Sequence, residues 1–394
     1  MTRAPRLVVL GTLMGVVATA CGSSIGTNAA RDGPSTRLAN LASSAREEVP
    51  SGLDGPTADG LPKPLVDPSA LRSGGPGPDG IPAVDAPRFQ RARQVSWLHD
   101  REPVLALEVK GQARAYPVQI LVWHEIVNDT VAGTPVTVSY CPLCNTAIAF
   151  DRRLGGRILD FGVSGLLFNS DLVMFDRQTR SLWPQVAGRA VAGALTGQEL
   201  TTLPVQTVSW AEWRTAHPND WVLSRDTGHP RSYGANPYPG YDDTNSRPFL
   251  FDGKVDGRLT AKTRVVGIAT ARSAVAVPHD VLRRRRVMEA TISGRSLVVW
   301  FRPGTASALD RGEVAAGRDV GTTGGFDPRV DGRRLHFDSV RGGFRDRETR
   351  STWNVLGHAT RGPLSGRALT AVAHVDSFWF AWAAFRPATI VLDG

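Results

Sequence analysis

Apolar and polar positions alternate along the middle of the chain in short runs broken by Gly, Pro and Asp. Val104 to Val109, Val136 to Tyr140, Thr146 to Phe150, Ile158 to Val163 and Leu172 to Phe175 carry this period of two, which sends successive side chains to opposite faces of a strand. A helical period shows only at Val118 to Glu125 and over residues 209–218, where Trp210 and Trp213 lie three apart on one face. The pattern predicts a β-rich α+β fold with minor helix.

The pattern also occurs twice. "DRQTRSLW" at 176–183 recurs as "DRETRSTW" at 346–353, identical at six of eight positions. Downstream, Gly188, Gly193, Leu195, Gly197, Leu200 and Thr201 meet Gly357, Gly362, Leu364, Gly366, Leu369 and Thr370. Trp210 and Trp213 meet Trp379 and Trp382, while upstream Pro117 meets Pro278 and Gly133 meets Gly294. Self-similarity at this spacing predicts two tandem homologous modules, an internal duplication, at 76–224 and 256–394 with a junction at 225–255. Positions kept in both copies serve the shared fold, so Asp176 and Arg180 are expected to pair across a turn while Trp183 fills the core. The second copy is degenerate. It has no cysteine, Arg285 and Arg286 stand opposite His124 and Glu125, Phe344 stands opposite Met174, and residues 161–171 are shortened. "WFRPGT" at 300–305 falls opposite the cysteine run, two residues short.

Residues 1–20 combine Arg3 and Arg6 with an apolar run, Leu7 to Ala20, too short to span a bilayer comfortably. Ala18-Thr19-Ala20-Cys21 resembles a bacterial lipobox, so cleavage before Cys21 and lipidation of its thiol are expected. The protein would then be anchored on the extracytoplasmic face of the cell membrane without crossing it. Residues 21–75, rich in Gly, Ser, Pro and Ala, read as a flexible tether. The net charge of +9 is carried almost wholly by Arg, but no basic face with interleaved aromatics appears, which argues against nucleic acid. Acidic cell-envelope polymer or lipid headgroups are the partners this charge suits; the sequence names no protein partner.

Candidate chemistry centres on Cys141-Pro142-Leu143-Cys144, between two predicted strands. One reading is a metal knuckle similar to those of rubredoxins and zinc ribbons. Those sites need two such knuckles, and this chain has one, so further ligands must come from His124, Met174, Asp171 or Glu125. Two thiolates with a thioether or imidazole suit Cu(I), and two thiolates with one imidazole suit Zn. His124 and Met174, absent from the second copy together with the cysteines, are the expected partners. A second reading is a disulfide in a binding or scaffold lipoprotein with no cofactor. A third is a thiol redox couple, which lacks the usual helix N-terminus behind the first cysteine. Ser164 and Asn169, in the shortened segment, are secondary polar candidates. The junction run "RSYGANPYPGYDDTNS" holds three of the five tyrosines and would pack over the junction or roof a ligand cleft. Enzymatic activity and substrate stay open.

"SGGPGPDGIPAVDAPRF", "ARAYPVQILVWHEIVND", "YCPLCNTAIAFDR", "FGVSGLLFNSDLVMFDRQTRSLWPQ" and "WAEWRTAHP" together resemble the bacterial DUF3179 family, from about residue 73 onward. That resemblance implies no activity.

Overall fold

A computed structural model describes Pro50–Asp393. The signal, Cys21 and the tether up to residue 49 lie outside the described residues. Pro103–Val109 and Gln112–Pro117 form a hairpin flanked by Val205–Ser209 on one side and Trp221–Leu223 on the other. Pro117 sets an extended backbone, φ −60 and ψ 128, and helix α1, Val118–His124, starts behind it. A second sheet follows as a meander of Ile126–Val131, Thr134–Cys141 and Thr146–Asp151, edged by Thr201–Leu203. A third joins Leu71–Ser73, Phe161–Phe168, Asp171–Asp176 and Leu182–Pro184. Helix α2, Trp210–Ala216, is capped by Ser209, whose side chain accepts the Glu212 N–H.

Two of these strands lie outside the alternating runs read from the sequence. In Gln112–Pro117 the apolar positions are mostly small alanines, and in Ile126–Val131 Asn128 and Asp129 are buried. They are tolerated there because each is satisfied: Asn128 donates to Phe161 O at 2.8 Å, and Asp129 accepts Tyr116 Oη at 2.6 Å and Arg114.

Beyond the junction the chain runs through Arg264–Ala269, Ala274–Pro278, helix α3 (His279–Arg285), Val287–Ile292, Arg295–Arg302 and Thr322–Asp327, and later helix α4, Trp379–Phe385. Three four-stranded sheets result. One pairs Arg264–Ala269 with Val375–Phe378 and Ala274–Pro278, a second holds Val287–Ile292 through Thr322–Asp327, and the third begins with Phe337–Val340 and Gly343–Asp346. The order of elements follows that of the first half. The Asp-Arg-x-Thr-Arg-Ser-x-Trp segments make matching networks: Asp176 accepts the Thr179 N–H and Trp183 Nε1 at 2.6 and 3.0 Å, and Asp346 accepts the Thr349 N–H and Trp353 Nε1 at 2.5 and 2.9 Å. The expected Asp176–Arg180 pair is not formed. Arg180, in the left-handed region at φ 55, turns its side chain to Asp54 at 2.8 Å instead.

Residues 50–75 also depart from the tether reading. Leu53, Val66 and Leu71 pack against Val173, Phe175, Leu182 and Val191, and Leu71–Ser73 adds an edge strand to Phe161–Phe168. The isolated apolar residues of this Gly-rich and Pro-rich run find burial on a surface that the sequence pattern does not reveal.

The halves share their apolar cores. Trp210 and Trp213 pack in one cluster with Trp300, Phe326 and Trp353, while Phe378, Phe380 and Ala381 join the cluster that contains both cysteines. Among the described residues no helix is long and apolar enough to cross a membrane.

Candidate functional site

Thr134–Cys141 and Thr146–Asp151 are in register with Cys141 opposite Thr146, so the chain reverses within the residues between them. Asn145 supports that reversal at φ 53, a left-handed backbone that Asn tolerates. Both thiols are free and buried, at 1% and 0% exposure. Opposite them, Phe161–Phe168 turns into Asp171–Asp176 through Asn169 and Ser170, both with positive φ (53 and 67), the two-residue geometry whose twist matches antiparallel strands. This turn places the Ser170 carbonyl 3.4 Å from Cys144 Sγ and 3.9 Å from Cys141 Sγ. It also delivers Asp171 to the thiols. The donor atoms of Cys141, Cys144 and Asp171 all lie within 4.8 Å of one another.

Asp171 accepts the Val186 N–H through Oδ2 at 2.9 Å, whereas its Oδ1 and the Ser170 hydroxyl have no hydrogen-bond partner among the described residues. From the second half, the Phe378 N–H donates to the Cys144 carbonyl at 2.9 Å. Burial pushes the Cys144 thiol well above its ordinary value, with Cys141 and Asp171 adding to the shift. Burial raises Asp171 in the same way, and Glu125 is pushed up to about 8. Protonation keeps these acids neutral, because ionising several of them together in a desolvated core is costly unless a cation joins them.

His124 does not join the thiols. Its Nδ1 lies 2.7 Å from the Pro82 carbonyl, which can only accept, so Nδ1 carries the proton and Nε2 accepts the Tyr233 hydroxyl at 2.6 Å. Burial pushes this imidazole down to about 4, and both ring nitrogens are engaged away from the cysteines. Met174 is fully buried in the same apolar cluster as the cysteines, paired with Val163 and Trp183. The Ser164 hydroxyl donates to Val173 O and accepts the Leu166 N–H, which staples an irregularity in its own strand. Asn169 contributes its backbone to the turn. Glu125 ends α1 at φ 59, buried, and acts on Asp171 electrostatically.

Beside the knuckle lies a cavity of about 310 Å³, walled by Glu125, Leu143, Leu167, Leu172, Tyr238 and Tyr241 among others. Two junction tyrosines thus face it. Sequence reasoning named Asp171 only as one choice among several and did not anticipate the Ser170 carbonyl; the signal for both was the Asn-Ser pair directly before an acid that opens an apolar strand.

No curated protein and no solved structure matches the chain. A family model described as "Protein of unknown function (DUF3179)" matches residues 78–389, which include the knuckle, the turn that faces it and both halves of the fold, and the chain belongs to that family.

Proposed function

We propose that this chain binds a zinc ion through Cys141, Cys144 and Asp171. The observation that carries the reading is the convergence of three buried donors within 4.8 Å, one of them with a carboxylate oxygen that has no hydrogen-bond partner among the described residues. Two thiolates and one carboxylate form a set suited to zinc, whereas Cu(I) would favour a third soft donor in place of the oxygen. An ion would displace the thiol protons and neutralise charge that burial alone disfavours. A thiol redox role is less well supported, since burial makes the Cys144 thiolate harder to form and a reactive cysteine needs the opposite.

The purified, reduced full chain should take up zinc stoichiometrically. Cys141→Ser should abolish uptake, Asp171→Asn should weaken it by at least about tenfold, and His124→Ala should leave it unchanged. A reduced wild-type chain that binds neither zinc nor Cu(I) would overturn the reading and leave the disulfide.

The two halves are further proposed to be copies of one module, the second without the site. Matching sheets and the paired Asp176 and Asp346 networks support this. We also infer, from the lipobox-like Ala18-Thr19-Ala20-Cys21, that the protein is anchored on the extracytoplasmic membrane face through lipidated Cys21, and Cys21→Ser should shift it to the soluble fraction.

A further inference from the structure

The cavity beside the knuckle has a shape and chemistry of its own. Its walls are mainly Leu, Val, Ile and aromatic side chains. Among the described residues Glu125 is the one carboxyl in its lining, and Tyr238 and Tyr241 supply phenols. Phe249, 49% exposed, marks its rim. Pockets of this kind, apolar with a few convergent polar groups, are the usual form of a small-molecule site.

The segments that build it are those in which the halves differ. Phe161–Phe168 and Asp171–Asp176 contribute Val163, Gly165, Leu166, Leu167 and Leu172 to the wall. Their counterparts, Phe337–Val340 and Gly343–Asp346, are short strands that make a tight hairpin. Where Glu125 faces the cavity from the end of α1, Arg286 ends α3 with a similar backbone, φ 67, and lies over the Phe301 ring. The longer hairpin is thus tied to a lined space and not only to the knuckle.

Volume sets the size of an occupant. An apolar cavity of about 150 Å³ holds one benzene, so this one has room for about 12 non-hydrogen atoms. Charge sets its head group. Any ionised head would be taken from water into a mostly apolar wall, which costs far more than burying a hydroxyl. A hydroxyl can both donate to and accept from a carboxyl group and a phenol.

We infer that this cavity binds an uncharged single-chain amphiphile of about ten carbons, its hydroxyl or carbonyl head against Glu125 and Tyr238 and its hydrocarbon against Leu166, Leu167 and Leu172. The inference does not rest on the metal reading, because neither cysteine lines the cavity.

Calorimetric titration of the full chain with decan-1-ol, in zinc-loaded and zinc-stripped forms, tests it. Saturable one-site binding is expected in both forms. Decanoate should bind at least tenfold more weakly at neutral pH, and Leu166→Trp, which fills the space from a partly exposed wall position, should weaken decan-1-ol at least tenfold with an unchanged circular dichroism spectrum. If that variant does not fold, Val163→Phe fills the cavity from another wall position. Absence of saturable decan-1-ol binding, undiminished binding in a folded filled variant, or decanoate binding as tightly as the alcohol would each overturn the inference. Loss of zinc with alcohol binding retained would sink only the metal reading.

Discussion

Between Thr134–Cys141 and Thr146–Asp151 the chain reverses in a tight knuckle, whereas between Arg295–Arg302 and Thr322–Asp327 it travels through residues 303–321. Matching by sequence alone set "WFRPGT" opposite the knuckle as a shortened version of it; the structure has a longer connection there, since the next strand begins only at Thr322. The long connection is spent on the junction. Arg318 Nη1 donates to Asp242 Oδ1 at 2.7 Å, Ser307 donates to the same carboxylate, and the Asn236 and Gly240 N–H groups donate to Gly312 O and Asp310 O at 2.8 and 2.7 Å. These contacts fix the segment that carries Tyr238 and Tyr241 over the cavity. The two halves therefore serve different ends: the first gathers donors, and the second holds the roof above them.

Cutting the roof's anchor should have the largest effect. Asp242 is fully buried between Arg264 and Arg318, and removing one partner of a buried ion pair costs about 3–5 kcal/mol, so Asp242→Asn should lower stability to denaturant by that order. Burial alone would raise this carboxyl, but Arg264, Ser307 and Arg318 outweigh it and hold it below its ordinary value. Its contribution is therefore present above the unfolded-state pKa and is lost as pH falls through the folded one, so the variant should show a flatter acid limb.

Glu125 has the opposite sign. Its folded-state value of about 8 lies above the ordinary 4.5, so the folded chain holds a proton that the unfolded chain releases, and stability should decline as pH rises between those values. Glu125→Gln should remove that decline and be more stable than wild type at pH 9 by a few kcal/mol. An unchanged pH profile would show that this carboxyl is hydrated. The smallest effect separates the two networks. Asp346→Asn and Asp176→Asn should each destabilise by about 1–3 kcal/mol, but only the latter, on the strand that starts with Asp171, should also weaken zinc. Equal zinc affinities would break the comparison.

Much of this was legible. The two strands that flank the knuckle carry the alternation of apolar and polar residues, and the repeated Asp-Arg-x-Thr-Arg-Ser-x-Trp string marked a local network, although the side-chain network runs from Asp to Thr and Trp and not to Arg. The proposed ligand set was harder to read. Joint absence from the second half pointed to His124, yet that residue shares its distinctiveness with the roof, where the Tyr233 hydroxyl occupies its free lone pair. Asp171 is far from the cysteines in sequence, and only a turn with two left-handed residues brings it near. Strands such as Ile126–Val131 stayed hidden because buried Asn128 and Asp129 interrupt an apolar pattern while their partners lie on other elements.

The hydrogen bond from Phe378 N–H to the Cys144 carbonyl also orders events in time. The strand Val375–Phe378 leaves the synthetic machinery long after the knuckle does. That strand supplies Phe378 to the apolar cluster that holds both thiols. The surroundings of the cysteine pair are thus completed by a late part of the chain, and a chain cut short before Val375 would hold the knuckle without that closing edge.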